Sequence, residues 1–284
     1  MKILLIQENG HHDGNRLYRE CFSWQRALQT YTNITTTVWG LGHANYSEKL
    51  DFNAFDVIVC LEQYDRINWV PHEEIGRTKA KKLLWAVDSH SKGIESFRQV
   101  KTLGKYDHIL CSILHHVGVG DIYFPNAYDD LLIRPGRVDK RSFLGFCGTG
   151  GGPQREELIN NLSNKFTGDF IFDDFIIGDE MVDAINSYEM HFNFNVMDDI
   201  NYRNFETIGC KIPLITNNNY QYKDLGFKDE VNCIFYNSKD QLLEKVEHYM
   251  NNKPLLDKIA NNGYTLSKNH TYRNRIKHLL KKVL

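Results

Sequence analysis

Five unbroken apolar runs in the first 113 residues constrain the fold more than any other feature of this chain. They are KILLIQ (2–7), TTTVWGL (35–41), FDVIVCLE (55–62), KKLLWAVD (81–88) and YDHILCSI (106–113). A strand with one wet face alternates polar and apolar residues. A continuous run needs cover on both faces, which is the situation of a parallel sheet flanked by helices. The intervening segments have helical spacing. GNRLYRECFSWQRALQTY puts Leu17, Cys21, Trp24 and Leu28 on one stripe, and further helices are expected near 72–80 and 94–103. Strands joined by crossovers of this kind predict a Rossmann-like sheet.

Around residues 124–141, FPNAYDDLLIRPGRVDKR breaks the apolar rhythm with proline, glycine and charge. The alternation then restarts: SFLGFCG (142–148), a helix from Pro153 to Asn164, DFIFDDFII, a helix near 179–187, YEMHFNFN (188–195), a short helix, KIPLIT, NCIFY, and helices near 238–251 and 254–266. The expected organisation is one Rossmann-like lobe over 1–137, a second over 138–268, and a terminal helix over 269–284. In that last segment, HTYRNRIKHLLKKVL, Tyr272, Ile276, Leu279, Leu280 and Val283 share a side. Two such lobes commonly hold a ligand at the carboxyl ends of their strands, facing a central cleft. The fold alone does not name the ligand.

Composition sets limits rather than choosing. The 284 residues carry 42% hydrophobic and 25% charged side chains and a formal net charge of −2, so nothing global commits the chain to nucleic acid or membrane. Six cysteines lie scattered without a CxxC pair, most in apolar runs, and read as reduced core residues of a cytoplasmic protein. The amino-terminal apolar run is too short for a signal peptide. No segment approaches the roughly 20 apolar residues of a membrane span. The abundance of Asn, Lys, Ile and Tyr points to an AT-rich bacterial or viral genome.

The most informative stretch is NYRNFETIGCKIPLIT (201–216). It reads as a helix capped by Asn201 and followed by a buried strand. A helix amino terminus favours acids, yet the first turn carries Arg203 and no acid before Glu206. At 100° per residue, Phe205 and Ile208 share one side while Arg203 and Glu206 share another. Asp198 precedes the helix, and Asn193 and Asn195 end the preceding strand. A carboxylate suits sugar or ribose hydroxyls, and an arginine beside exposed helix amides suits a phosphate. A plain surface ion pair would show the same pattern.

Asp198-x7-Glu206, followed by glycine, proline and a strand, resembles the acid-x7-acid motif of group-1 glycosyltransferases. The order NVMDDINYRNFETIGCKIPLITNN, VNCIFYNSKDQLLEKVEHYMNN, LLDKIANNGY, HTYRNRIKHLL is similar to the spore-maturation-protein-like glycosyltransferase family, with its R-x-FE-x3-G element and terminal HTY-x2-R. That resemblance spans roughly 142–284. WAVDSHS, YDHIL and FPNAYD extend it more loosely into the first half. It implies a GT-B fold, with the terminal helix crossing back to the first lobe, and transfer of a sugar from a nucleotide-diphosphate donor, UDP- or GDP-linked. It implies that Glu206 holds the donor ribose, Asp198 the sugar hydroxyls and Arg203 the pyrophosphate, within an element that also contains Asn204 and Phe205. Asp198 stands where many members have Glu, and Gly209 departs from the commoner glycine placement.

GFCGTGGGPQREEL (145–158) follows a strand and opens a helix with Pro153 in its first turn. Amides around Gly148, Thr149 and Gly150 could thus face the diphosphate, with Arg155 assisting. Without a GK[ST] ending it is not a P-loop. QENGHHDGNR (7–16) offers Gly10, His11, His12 and Asp13 as an acceptor or phosphate loop, and adjacent ligands of this kind seldom converge on one metal ion. Asp88 and His90, in WAVDSHS at a strand's carboxyl end, are the expected catalytic residues, either one serving as base if the reaction inverts. Asp88 as a simple helix cap is the competing reading. Lys79–Lys82 and His115-His116 read as solvated surface, although for a DNA acceptor the basic groups Arg134, Arg137, Lys140, Arg141, Lys79, Lys81 and Lys82 would have to line the ligand site. The expectation is therefore a cofactor-free, metal-independent glycosyltransferase whose acceptor is a glycan, a protein or a hydroxymethylated DNA base. A non-catalytic sugar-nucleotide or glycan-binding module is the alternative. Oligomeric state is not legible.

Overall fold

The computed structural model describes residues 1–62 and 68–283; Leu284, the end of the expected terminal helix, lies outside the described residues. The chain divides into two compact units. One comprises Met1–Asn126, Met197–Asp199 and Tyr272–Leu284, the other Ala127–Val196 and Ile200–Thr271.

The first unit is built on strands β1 (Lys2–Ile6), β2 (Thr35–Trp39), β3 (Val57–Cys60), β4 (Lys81–Ala86), β5 (His108–Cys111) and β6 (Ile122–Tyr123), with helices α1 (Glu20–Leu28), α2 (His72–Gly76), α3 (Ser89–Lys92) and α4 (Ile94–Gly104). The strands form one parallel sheet in the order β2-β1-β3-β4-β5-β6. The unbroken apolar runs are explained by cover on both faces. Leu4, Ile6, Ile58, Leu84 and Ile109 pack with Phe97 of α4 and with Ile75 of α2. Elsewhere in this unit Trp24, Trp85 and Phe124 form an aromatic cluster, and Tyr272 meets Trp85 edge-on.

The second unit contains β7 (Ser142–Gly148), α5 (Pro153–Lys165), β8 (Phe170–Asp174), α6 (Gly178–Asn186), β9 (Tyr188–Asn193), α7 (Tyr202–Gly209), β10 (Leu214–Asn217), β11 (Ile234–Tyr236), α8 (Lys239–Met250) and α9 (Lys253–Ser267). Its sheet is also parallel, in the order β11-β10-β9-β7-β8. In both units the first strand lies between the second and the third, so the strand order reverses direction beside the first strand. An α/β sheet opens a crevice at that point, at the carboxyl ends of its strands. A final helix, α10 (Tyr272–Val283), returns the chain to the first unit, where it packs against α1.

Three local expectations need correction. The long amino-terminal helix is a 3-10 turn over Asp13–Tyr18 followed by α1, with Arg19 extended between them. Gly14 and Asn15 are poor helix formers, and Leu17 is exposed rather than part of the buried stripe. Lys82 is buried, not solvated: its ammonium donates to the carbonyls of Thr78 and Ala80. His115 is exposed, as expected, 3.7 Å from Asp198, whereas His116 is partly buried and bonded to the Ser89 hydroxyl at 2.7 Å. The six cysteines are all buried and unbridged, and among the described residues no helix is long and apolar enough to cross a membrane.

Candidate functional site

In the second unit the strand-order reversal falls between β7 and β9, and a cavity of about 290 Å³ opens there. Its wall combines the end of β7 (Phe146, Cys147, Gly148), Thr149, Arg155 from α5, the turn Phe175–Ile177 after β8, Asn193 at the end of β9, and Asn201, Tyr202 and Arg203 at the start of α7. Two helix amino termini thus converge on one cavity that also receives two guanidinium groups. Unpaired helix amides and fixed cations together make a site for an anion.

Each arginine is held by its stem or by part of its fork. Arg155 donates to the carbonyl oxygens of Thr149 (3.1 Å) and Phe194 (3.0 Å) and lies over the Phe146 ring, while its Nε finds no hydrogen-bond partner among the described residues. Burial, and then Arg203 nearby, push its pKa down. Arg203 donates from Nε to the Cys147 carbonyl at 2.8 Å and from Nη1 to Glu206. Burial is the largest single influence and would lower its pKa, but Glu206, Cys147 and Tyr188 together outweigh it and the net shift is upward. The loop from Gly148 needs its glycines. Gly151 sits at φ +57°, where a Cβ would lie 2.4 Å from Nη1 of Arg155, and Gly152 sits at φ +110° just ahead of Pro153. A side chain at 151 would displace the cation.

What fixes α7 is a buried polar network that the sequence did not reveal. Asn204 donates to Oδ1 of Asn195 (2.7 Å) and accepts from the Tyr222 hydroxyl (2.7 Å), Asn195 donates to Tyr222 (2.6 Å), and Asn193 reaches Thr216 (3.2 Å). The ends of β9 and β10 are thereby tied to the first turn of α7. Behind them the His191 Nε2 accepts from the Cys147 amide at 3.3 Å, so Nδ1 carries the proton and donates to the Thr207 hydroxyl at 2.7 Å. This imidazole is fully buried, and burial pushes it down to about 3.

The residues named from sequence therefore separate. Gly148, Thr149, Arg155 and Arg203 line the cavity, and Gly150 belongs to the loop between Thr149 and the strained Gly151. Glu206 does not line it; it is 9% exposed and paired with Arg203. Asn204 and Phe205 have no exposed surface to offer a ligand: Asn204 belongs to the network, and Phe205 packs against Phe227 and His270. Phe146, Phe175, Ile176, Ile177 and Tyr202 line the cavity without having been singled out. The apolar run DFIFDDFII held the signal, since its last three residues outlast the strand.

Asp88 and His90 belong to the first unit, directly after β4. Asp88 adopts a left-handed backbone conformation (φ +49°) and makes no side-chain cap to α3, so the simple cap reading fails. Asp199, not anticipated, joins them: one ligand-type atom from each of Asp88, His90 and Asp199 lies within 4.8 Å of the others. Asp199 is 4% exposed, and burial, then the Asp88 charge, push its carboxyl up to about 7. Asp198, expected on the sugar, is half-exposed beside His115. In the amino-terminal loop Gly10 has φ +77° and backs onto Arg19, exposed His11 is 3.7 Å from Glu8, Asp13 pairs with Arg16 at 2.8 Å, and His12 precedes the 3-10 turn. His11, His12 and Asp13 do not gather into a metal-ligand group among the described residues.

Sequence comparison with curated proteins found no match. The profile of a family described as glycosyl transferase-like matches residues 155–281. Among solved structures, the chain is similar to the DNA-modifying enzyme β-glucosyltransferase, which is also represented as that of phage T4 (13% identity; TM-scores 0.70 and 0.68; 100% of this chain and 99% of that one in both). It is similar to HepE of Anabaena in complex with UDP and glucose (TM-score 0.72, 11% identity, 99% of this chain and 100% of that one). Sucrose-phosphate synthase of Thermosynechococcus elongatus aligns with TM-score 0.68 and 10% identity over 99% of this chain and 98% of that one. Full-length agreement at such low identity is agreement of fold, and the profile match adds sequence from Arg155 through the α7 element of the second unit and into the terminal helix of the first. The chain therefore has the GT-B fold, and its residues 155–281 match the profile of the glycosyl transferase-like family.

Proposed function

We propose that this protein transfers a sugar from a UDP-linked donor, bound in the second unit, to a hydroxyl acceptor. The observation that carries the reading is the cavity at the β7–β9 reversal, where two arginines and the amino ends of α5 and α7 face one space. A diphosphate is the ligand that uses all four, and it is also the leaving group whose charge grows as a glycosyl bond breaks. Phe146, Phe175 and Ile177 supply the apolar surface a nucleobase needs. In this proposal Arg203 turns from Glu206 to the diphosphate when donor enters, and the released Glu206 carboxylate takes the ribose hydroxyls. UDP is favoured because the similar HepE was solved with UDP and glucose, and the similar β-glucosyltransferase with uridine diphosphoglucose.

The acceptor is a coarser matter. DNA needs phosphate contacts from free cations. Two of the basic groups available for that, Lys140 and Arg141, are already spent in the second unit on the Asn186 and Tyr188 carbonyls and on Asp173. A glycan or protein hydroxyl is the acceptor class the charge distribution favours.

A thermal-shift series over UDP, GDP, ADP, CMP and TDP sugars tests the donor reading. At 100 times its dissociation constant a donor adds about 2.7 kcal/mol of stability. UDP-sugars should raise the melting temperature and Arg155→Ala should remove the rise. If no nucleotide sugar shifts the melt, the donor assignment is wrong. Slow hydrolysis of the bound donor then separates a transferase from a binding module, which leaves the donor intact.

A further inference from the structure

We propose that Asp88, His90 and Asp199 form a binding site for a divalent first-row transition-metal cation in the first unit. Their ligand-type atoms already lie within 4.8 Å of one another. Two carboxylates and one imidazole make a mixed oxygen and nitrogen donor set, suited to Mn²⁺, Fe²⁺ or Zn²⁺ and not to Ca²⁺, which takes six to eight oxygens.

The second observation is independent of that proximity. Oδ1 of Asp199, a side chain 4% exposed, and the buried Nδ1 of His90 have no hydrogen-bond partner among the described residues. A carboxylate oxygen buried without a donor, next to a second carboxylate, is costly to hold. The chain nevertheless holds it, and keeps Asp88 in a left-handed conformation that non-glycine residues seldom adopt. A dication removes the repulsion between Asp88 and Asp199 and gives the three side chains a common partner. The surrounding groups are arranged to steady the ligands: Ser89, between Asp88 and His90, is fixed to His116, and Asp198, beside Asp199, faces His115. Three protein ligands leave coordination positions for water or for an oxygen of a bound molecule. The site owes nothing to the donor cavity and stands if the UDP reading fails.

The test is chelator-treated full-length protein titrated with Mn²⁺, followed by the electron paramagnetic resonance signal of the free ion, and separately with Zn²⁺ by calorimetry. One saturable equivalent is expected. Asp199→Asn and His90→Gln should each weaken it at least tenfold, while His12→Ala leaves it unchanged. Chelator-treated Asp199→Asn should melt no lower than the parent, because the amide ends the repulsion from Asp88, and Mn²⁺ should raise the melt of the parent only. Absence of saturable binding by either ion up to millimolar concentration overturns the site, and a proton shared by Asp88 and Asp199 is then the explanation. Binding that survives both substitutions, or is lost in His12→Ala, also overturns it. Should Asp199→Asn fail to fold, Asp88→Asn and His90→Gln decide the same question.

Discussion

His191 shows how much one neutral side chain can carry. Its two ring nitrogens are committed, one accepting from the Cys147 amide and one donating to Thr207, and it has no room for a second proton. Its pKa falls from 6.5 to about 3 because burial removes the water that would solvate the cation, with Arg203 adding repulsion. Between those two values the unfolded chain binds a proton that the folded chain refuses. Stability is therefore lost as the pH falls through that window, by about 1.4 kcal/mol for each pH unit. Chemical denaturation at pH 7, 5.5 and 4.5 should show a steep fall for the parent. His191→Gln should be less stable at pH 7 by ~1–3 kcal/mol but should have a flatter acid limb. A second residue-scale prediction concerns Asn204, whose amide is shared by Asn195 and Tyr222. Asn204→Ala should cost ~1–3 kcal/mol in urea titration, because it strands two buried polar groups. Arg155→Ala should cost little stability, since among the described residues this guanidinium's hydrogen bonds go to two loop carbonyls, and should instead weaken UDP binding measured by calorimetry about tenfold or more.

Among the elements, α10 makes the clearest division of labour between two faces. Tyr272, Ile276 and Leu279 are buried, whereas Lys277, Lys281 and Lys282 are not. Ile276→Ala should lower stability by ~2–5 kcal/mol through a cavity under α1. Reversing the three lysines should leave the melting temperature within a few degrees and leave transfer to a small soluble acceptor intact. Loss of transfer on a membrane-presented acceptor alone would assign the basic face to an anionic surface. Elements of this kind were legible in the sequence because their signal is periodic. The stripe of α10 and the unbroken strands each repeat one physical rule over several residues. The motif around α7 was legible in part: Arg203 and Arg155 line the cavity, whereas Asn204 and Phe205, expected at the same ligand, are buried. Nothing in the local pattern separates a polar residue that meets a ligand from one that meets Tyr222, because that difference is set by strands far away in the chain. Asp199 escaped for the same reason. Its neighbour Asp198 has the motif spacing, while Asp199 acquires meaning only from Asp88, more than a hundred residues earlier.

On the scale of the whole molecule, the return of α10 to the first unit sets an order of events during synthesis. The first unit begins with residue 1, yet α1 keeps the apolar surface facing α10 uncovered until residues 272–283 have been made. The second unit, by contrast, is complete at Thr271 and needs no later segment. A growing chain can therefore finish the unit it starts second before the unit it starts first, with a sticky helix face waiting for the length of the whole intervening sequence. Chains held on the ribosome so that residue 271 has emerged while residues 272–283 are still in the exit tunnel should resist protease over the second unit and remain cleavable near α1, and the protected pattern should spread to α1 only once the terminal helix has cleared the tunnel.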